Sequence, residues 1–389
     1  MRWLGSVLCG AGFAAASCLV PDVELVDSLP GQAGNGSAAG SKAVAGSSGN
    51  PSGGKTSANG GDGAGGMSTT DGGAGDTAVA GAGSSAGGDG DGSGVGGDGS
   101  GPRDDTALSC AELGKAACHG ESCCVTLPVP GCKDCAFPGG TTYSVSPLRL
   151  DKYEVTVGRF RAFVNAYDGP PAPGAGAHPL IEGSGWQSSW DGNMLSSKAE
   201  LLNAMQFRPC TVTAVRTWTN EPGAQEQKPA NCLTWYEAFA FCAWDGGFLP
   251  SELEWQFAAT GGDEHRKYAW GDTDLDLEHA LYGACGNGTS SACDQSSILE
   301  VGSKPAGVGK WGHLDLTGSV WEWIMDSPSS AFPAEQPCND CASLGVSMYR
   351  SIRGGSWPED ASYMPADRRQ EDGADSAWYN VGIRCAYEP

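Results

Sequence analysis

Between Gly31 and Gly101 the chain is almost wholly Gly, Ala, Ser, Asp and Thr, and 27 of its 61 glycines fall there. A segment of that composition cannot bury enough apolar surface to repay the entropy of ordering its backbone. It is therefore expected to stay disordered. The burden of folding passes to the ~280 residues from Ser109 onward, which hold nearly all the aromatic residues and suffice for one substantial core.

The residues ahead of that segment read as an export leader. Met1 to Ser17 carries Arg2 and then an apolar, small-residue run, long enough for a signal peptide and too short for a transmembrane helix. Ala15-Ala16-Ser17-Cys18 resembles a lipobox, in which Cys18 would be acylated and become the mature N-terminus. Ala15 stands where Leu is preferred, and ordinary cleavage after Ala16 is the alternative. The expected organisation is a leader (1–17), a tether (18–108), a Cys-rich lead-in (109–141) and a folded domain (142–389). A Gly-rich coil of ~80 residues has an r.m.s. span of about 50 Å, enough to hold a domain off a membrane without fixing its orientation. The expected localisation is the cell envelope, as a lipoprotein of the outer membrane or surface, and otherwise the periplasm or medium. Membrane contact is expected only through the N-terminal lipid.

Export fits the cysteines. Leaving out Cys9 and Cys18, fourteen remain, an even number that argues for disulfides. Six crowd between Cys110 and Cys135, and their pairing stays open at this stage. Cys132-Lys133-Asp134-Cys135 and Cys338-Asn339-Asp340-Cys341 read as local staples rather than zinc half-sites, because no histidine spacing accompanies them. Net charge is −23, of which −16 falls on residues 109–389. So acidic a surface repels phosphate backbones, and nucleic acid is not an expected partner.

Regular structure is sparse. Leu148 to Val155 alternates apolar and polar as a half-buried strand does. Thr156 then caps a helix whose apolar face is Val157, Phe160, Phe163, Val164 and Tyr167. Thr234/Glu237 and Ser251/Glu254 are capping boxes for two more helices, ended by Gly246 and by Gly261-Gly262. With so few elements, the thirteen tryptophans are expected mainly to fill an irregular core, and a few could line a glycan- or peptide-binding groove.

Five motifs in order carry a resemblance: LDKYEVTVGRF (150–160), CLTWYEAFAFCAW (232–244) with FLPSELEWQFAA (248–259), YAWGD (268–272), VGSKPAGVGKWGHLDLTGSVWEW (301–323), and RGGSW (353–357) with GIRC (382–385). Together they resemble the sulfatase-modifying-factor, or formylglycine-generating enzyme, family. The resemblance implies an irregular α+β fold related to C-type lectins, and a Cys242–Cys385 disulfide. It also implies a calcium site at Asp315, Gly318, Val320 and Glu322, an oxygen donor set that suits a hard cation.

The family's redox chemistry depends on a copper-binding cysteine pair after the Arg-Gly-Gly-Ser turn. Here the matching positions are Glu359 and Met364, and Cu(I) requires thiolates, so copper is not expected. Ser356 and Trp321 match residues that line the family's cleft. Glu359, Asp360 and Asp367 beside Arg368 and Arg369 form a candidate acid/base set. Two expectations follow. One is a non-oxidase member that binds a peptide or glycan at the cell surface. The other is an enzyme of the family with altered chemistry, using Glu359.

Overall fold

The computed structural model describes residues 107–112, 117–136, 141–210, 215–284, 295–332 and 337–389, all within one compact unit. The leader, Cys18, the Gly-rich tether, and Cys285 and Cys293 lie outside the described residues.

The described residues contain five α-helices: α1 Leu108–Glu112, α2 Val157–Ala166, α3 Lys198–Phe207, α4 Trp235–Trp244 and α5 Glu252–Ala259. The three expected caps are made. Thr156 accepts from the Arg159 N–H, and Thr234 with Glu237 and Ser251 with Glu254 form reciprocal capping boxes. The helix α3, capped by Ser197, was not anticipated. Six of its ten residues are apolar, yet only Leu201 and Met205 are buried.

Twelve short strands follow in chain order: β1 Ala117–Cys118, β2 Glu121–Ser122, β3 Thr126–Val129, β4 Cys132–Ala136, β5 Thr142–Val145, β6 Leu148–Asp151, β7 Trp321–Trp323, β8 Cys338–Asn339, β9 Tyr349–Arg353, β10 Gln370–Gly373, β11 Val381–Gly382 and β12 Ala386–Tyr387. β1 and β2 form a hairpin. The others form sheets ordered β10-β9-β7-β11, β12-β6-β3 and β4-β5-β8. β11 runs parallel to β7, so the chain's last segment returns beside the Trp-Glu-Trp strand. Such a return needs a long connection, which the sequence supplies between 323 and 381. This is an α+β fold with mixed sheets.

The lead-in is not held by disulfides alone. Cys110–Cys124, Cys118–Cys123 and Cys132–Cys135 staple it. Its strand β3 also pairs with β6 along four residues, and β4 pairs with β5. Further bonds join Cys210–Cys232, Cys242–Cys385 and Cys338–Cys341.

The alternation expected at Leu148–Val155 is not realised. The strand stops at Asp151, and all four of its residues are buried. The polar ones are paired inside the protein. Arg149 donates to the Thr126 hydroxyl at 2.9 Å and to the Thr126 carbonyl at 2.6 Å. Asp151 meets Arg159 at 3.0 Å and accepts from the Cys385 N–H at 3.1 Å. Helix α2 is likewise buried beyond its apolar stripe, because Arg159 reaches back to Asp245 at 2.7 Å. A buried arginine is tolerable only with such partners. Around them the aromatic residues close the core: Phe160 stacks on Phe241 at 5.7 Å, and Trp190, Trp235 and Phe239 pack at 5.1–5.6 Å.

Candidate functional site

Strand β9 ends in the turn Gly354-Gly355, both in left-handed conformations (φ +105° and +78°). A Cβ on Gly355 would lie 2.5 Å from the Met364 methyl, so only glycine lets the turn close over that side chain. The turn drives Ser356 and Trp357 inward, and both are fully buried. The Ser356 hydroxyl donates to Glu359 Oε2 at 3.2 Å and accepts from Asn380 Nδ2 at 3.0 Å. Glu359 is fixed through its backbone as well: its N–H donates to the Ser356 carbonyl, and its own carbonyl accepts from Gly283 at 2.7 Å.

Burial pushes the Glu359 carboxyl up to about 7, although hydrogen bonds from Trp321 and Ser356 pull it back. It therefore holds or releases a proton near neutrality. Trp321 is buried and meets the Tyr363 ring edge-on at 6.3 Å. Met364 is completely buried beneath the glycine turn, so Glu359 and Met364 face different surroundings.

Of the expected acid/base set, only Glu359 stands at Ser356. Asp360 is exposed, and its carboxylate caps Ser362. Arg369 is drawn to Glu252 at 2.6 and 2.8 Å, and the Arg368 guanidinium lies over the Tyr363 ring at 5.0 Å. Asp367 is exposed. Asn380 completes the Ser356 contact and was not anticipated. Its clue was its place one residue ahead of β11, whose parallel pairing sets the Asn380 carbonyl 2.9 Å from the Trp321 N–H.

Beside this site, the loop 315–320 takes left-handed turns at Asp315, Gly318 and Ser319. A Cβ on Gly318 would come 2.5 Å from the Leu281 carbonyl oxygen, which explains the glycine there by close approach of backbone. Glu322 accepts three bonds from Arg384 at 2.7–3.0 Å and a fourth from the Trp255 ring N–H at 2.6 Å. One oxygen of Asp315 accepts from the Gly302 N–H at 2.5 Å. Glu154 accepts from the Ser319 hydroxyl and the Val320 N–H. Burial pushes Asp315 up to about 6 and Glu154 upward. Three buried carboxylates thus share one guanidinium. Among the described residues no group of three His, Cys, Asp or Glu side chains is arranged to hold a metal.

Residues 131–389 match the family described as the sulfatase-modifying factor enzyme 1-like domain. The chain belongs to that family. Among its relatives, a formylglycine-generating enzyme of Streptomyces coelicolor is 29% identical over 263 residues, which is 63% of this chain and 79% of the relative. Two relatives are named inactive C-alpha-formylglycine-generating enzyme 2. The one from Bos taurus is 32% identical, covering 62% of this chain and 78% of its own; the one from Mus musculus is 28% identical, covering 62% and 76%. PvdO from Pseudomonas aeruginosa is a similar solved structure, with TM-score 0.46, 18% identity, and 69% of this chain and 95% of that one covered.

In this sulfatase-modifying-factor domain the donors needed for Cu(I) do not fit. A carboxyl that shares a hydrogen bond with Ser356 and a thioether packed under a glycine turn are not a thiolate pair. The twelve cysteines among the described residues are all in disulfides.

Proposed function

We propose that this protein is a non-oxidase member of its family, displayed at the cell envelope through Cys18 and the Gly-rich tether, and binding a peptide or glycan. The observation that carries the reading is the pair Glu359 and Met364. One is a proton-holding carboxyl tied to Ser356, and the other is a core side chain. Neither offers copper a sulfur anion. The existence of relatives named as inactive supports the same direction. Export is supported by the disulfides, which persist only in an oxidising compartment.

The test is incubation of the purified protein with a cysteine-containing sulfatase peptide, Cu(I) and oxygen. No aldehyde is expected, and aldehyde formed at multiple turnovers would overturn the proposal. A second reading, an enzyme of altered chemistry, is favoured by one observation: the Glu359 carboxyl lies near neutrality, where an acid/base group works best. Under it, any turnover found on a substrate panel should vanish in Glu359→Gln with folding intact.

Calcium belongs to the proposal as a structural ion held by Asp315, Glu322 and the carbonyls of Gly318 and Val320. The excess of buried carboxylate over guanidinium is what a hard dication would offset. Glu322 would serve with an oxygen that it already shares with Arg384 and Trp255.

A further inference from the structure

A cavity lies away from Ser356. It measures about 550 Å³ and is walled by Trp190, Trp235, Tyr236, Phe239 and Met325, within the size range of small-molecule sites. Its rim sets the amides and hydroxyls of Gln187, Ser189, Asn193 and Ser347 beside the exposed apolar side chains of Leu344 and Val346. In a chain with 46 acidic and 23 basic residues, the lining holds one cation, Arg350, and no carboxylate.

Arg350 differs from three of the other buried arginines. Arg159, Arg353 and Arg384 each have a carboxylate within 4 Å, whereas Arg350 has none among the described residues. Only 5% of it is exposed. Its guanidinium lies over the Trp235 ring at 4.0 Å and the Trp190 ring at 5.7 Å. One terminal nitrogen donates to the Met325 carbonyl and the Ser327 hydroxyl, while its Nε–H has no acceptor. The nearby Asp326 is a poor counter-ion. Its oxygens accept from the Glu252 and Ser343 N–H groups, and burial pushes its carboxyl up to about 7. A buried guanidinium with an unspent donor carries a desolvation cost that an anion entering the cavity would offset.

We propose that this cavity binds a carboxylated sugar ring, a hexuronate, with its carboxylate on Arg350, a ring face on the half-buried Trp190 and Tyr236, and its hydroxyls on the amides and hydroxyls of the rim. Flat apolar walls with few, directional polar groups suit a molecule that has one hydrophobic face and many hydroxyls. A charge-assisted contact with the Arg350 guanidinium supplies the selection for acid over neutral sugar. The inference deepens the proposed binding role, yet the two fail separately. Aldehyde formation decides that one and the following titration decides this one.

Digalacturonate is titrated into the full-length protein while tryptophan fluorescence is followed, with neutral maltose and with benzoate as comparisons. Saturable binding of digalacturonate is expected, at least about tenfold tighter than maltose, which lacks the charge-assisted hydrogen bond, and than benzoate, which keeps the carboxylate but lacks the hydroxyls. Arg350→Met should remove the preference for the acid, and Arg350→Lys should restore part of it. Because Arg350 also supports the Met325 backbone, a double variant at the exposed rim, S189A/N193A, gives a second reading free of the core and should weaken digalacturonate several-fold. Equal binding of maltose or benzoate, absence of saturable binding, or an unchanged affinity in both Arg350→Met and S189A/N193A would each overturn the proposal.

Discussion

Cutting the Cys242–Cys385 bond with C242A/C385A should cost far more stability than cutting Cys338–Cys341 with C338A/C341A, although both remove one disulfide. The difference follows from the loops they close. A bond with sequence separation 143 removes loop-closure entropy from the unfolded chain worth about 5 kcal/mol, whereas a separation of 3 gives about 1.6 kcal/mol. Each alanine also deletes a sulfur; Cys242, Cys385 and Cys338 are fully buried, so that packing term, about 1 kcal/mol per site, is similar for the two variants and largely cancels. A difference of about 3 kcal/mol should remain, against a total stability of about 5–15 kcal/mol for an ordinary domain. In melting temperature it amounts to roughly 6–12 °C for a domain of this size. The assay is equilibrium urea unfolding of the full-length protein without reductant, fitted for free energy and slope. The slope should rise in C242A/C385A, because its unfolded chain expands, and change little in C338A/C341A. Equal losses in the two variants, or a larger loss in C338A/C341A, would refute the argument from loop length.

Three further outcomes can be checked. Since the native Glu359 carboxyl sits at about 7 against an ordinary 4.5, the folded state binds the extra proton between those values, and this group's contribution to stability falls as pH rises through that window. Glu359→Gln should therefore match the wild type near pH 4.5 and exceed it at pH 8 in urea unfolding; a variant less stable than wild type at pH 8 would contradict this. Chelation by EDTA should lower the melting temperature if calcium occupies the Asp315–Glu322 loop, and added calcium should restore it; a melting temperature unmoved by chelator removes calcium from the account. The double substitution E359C/M364C should give a protein that takes up Cu(I), measured by competition with a chromogenic chelator, where the wild type takes up none. Stoichiometric thiol-dependent uptake by the wild type would defeat the central argument.

Much of the local structure was legible because its determinants are local. Thr156, Thr234 and Ser251 cap their helices within three residues of chain, and Gly246 and Gly261 take the left-handed conformations expected where those helices end. The motif order identified the family for the same reason: it is written along the chain. The reading failed at Leu148–Asp151, where an alternating pattern implied a wet face. Arg149 and Asp151 are buried because Thr126, Arg159 and Cys385, each distant in sequence or brought near by folding, satisfy them.

At the candidate site the division is similar. The sequence alone determined that no cysteine lies between Trp357 and Val381, because the identity of a side chain needs no coordinates. Only the tertiary structure decided that Glu359 shares a hydrogen bond with Ser356 while Met364 packs under Gly355, that Asn380 joins them, and that Arg369 is drawn away to Glu252. It also decided that Arg350 lies over Trp235 with no carboxylate within 4 Å among the described residues. Burial and partner choice arise from contacts between distant segments, and the cost of an uncompensated charge is set by those contacts rather than by neighbours along the chain.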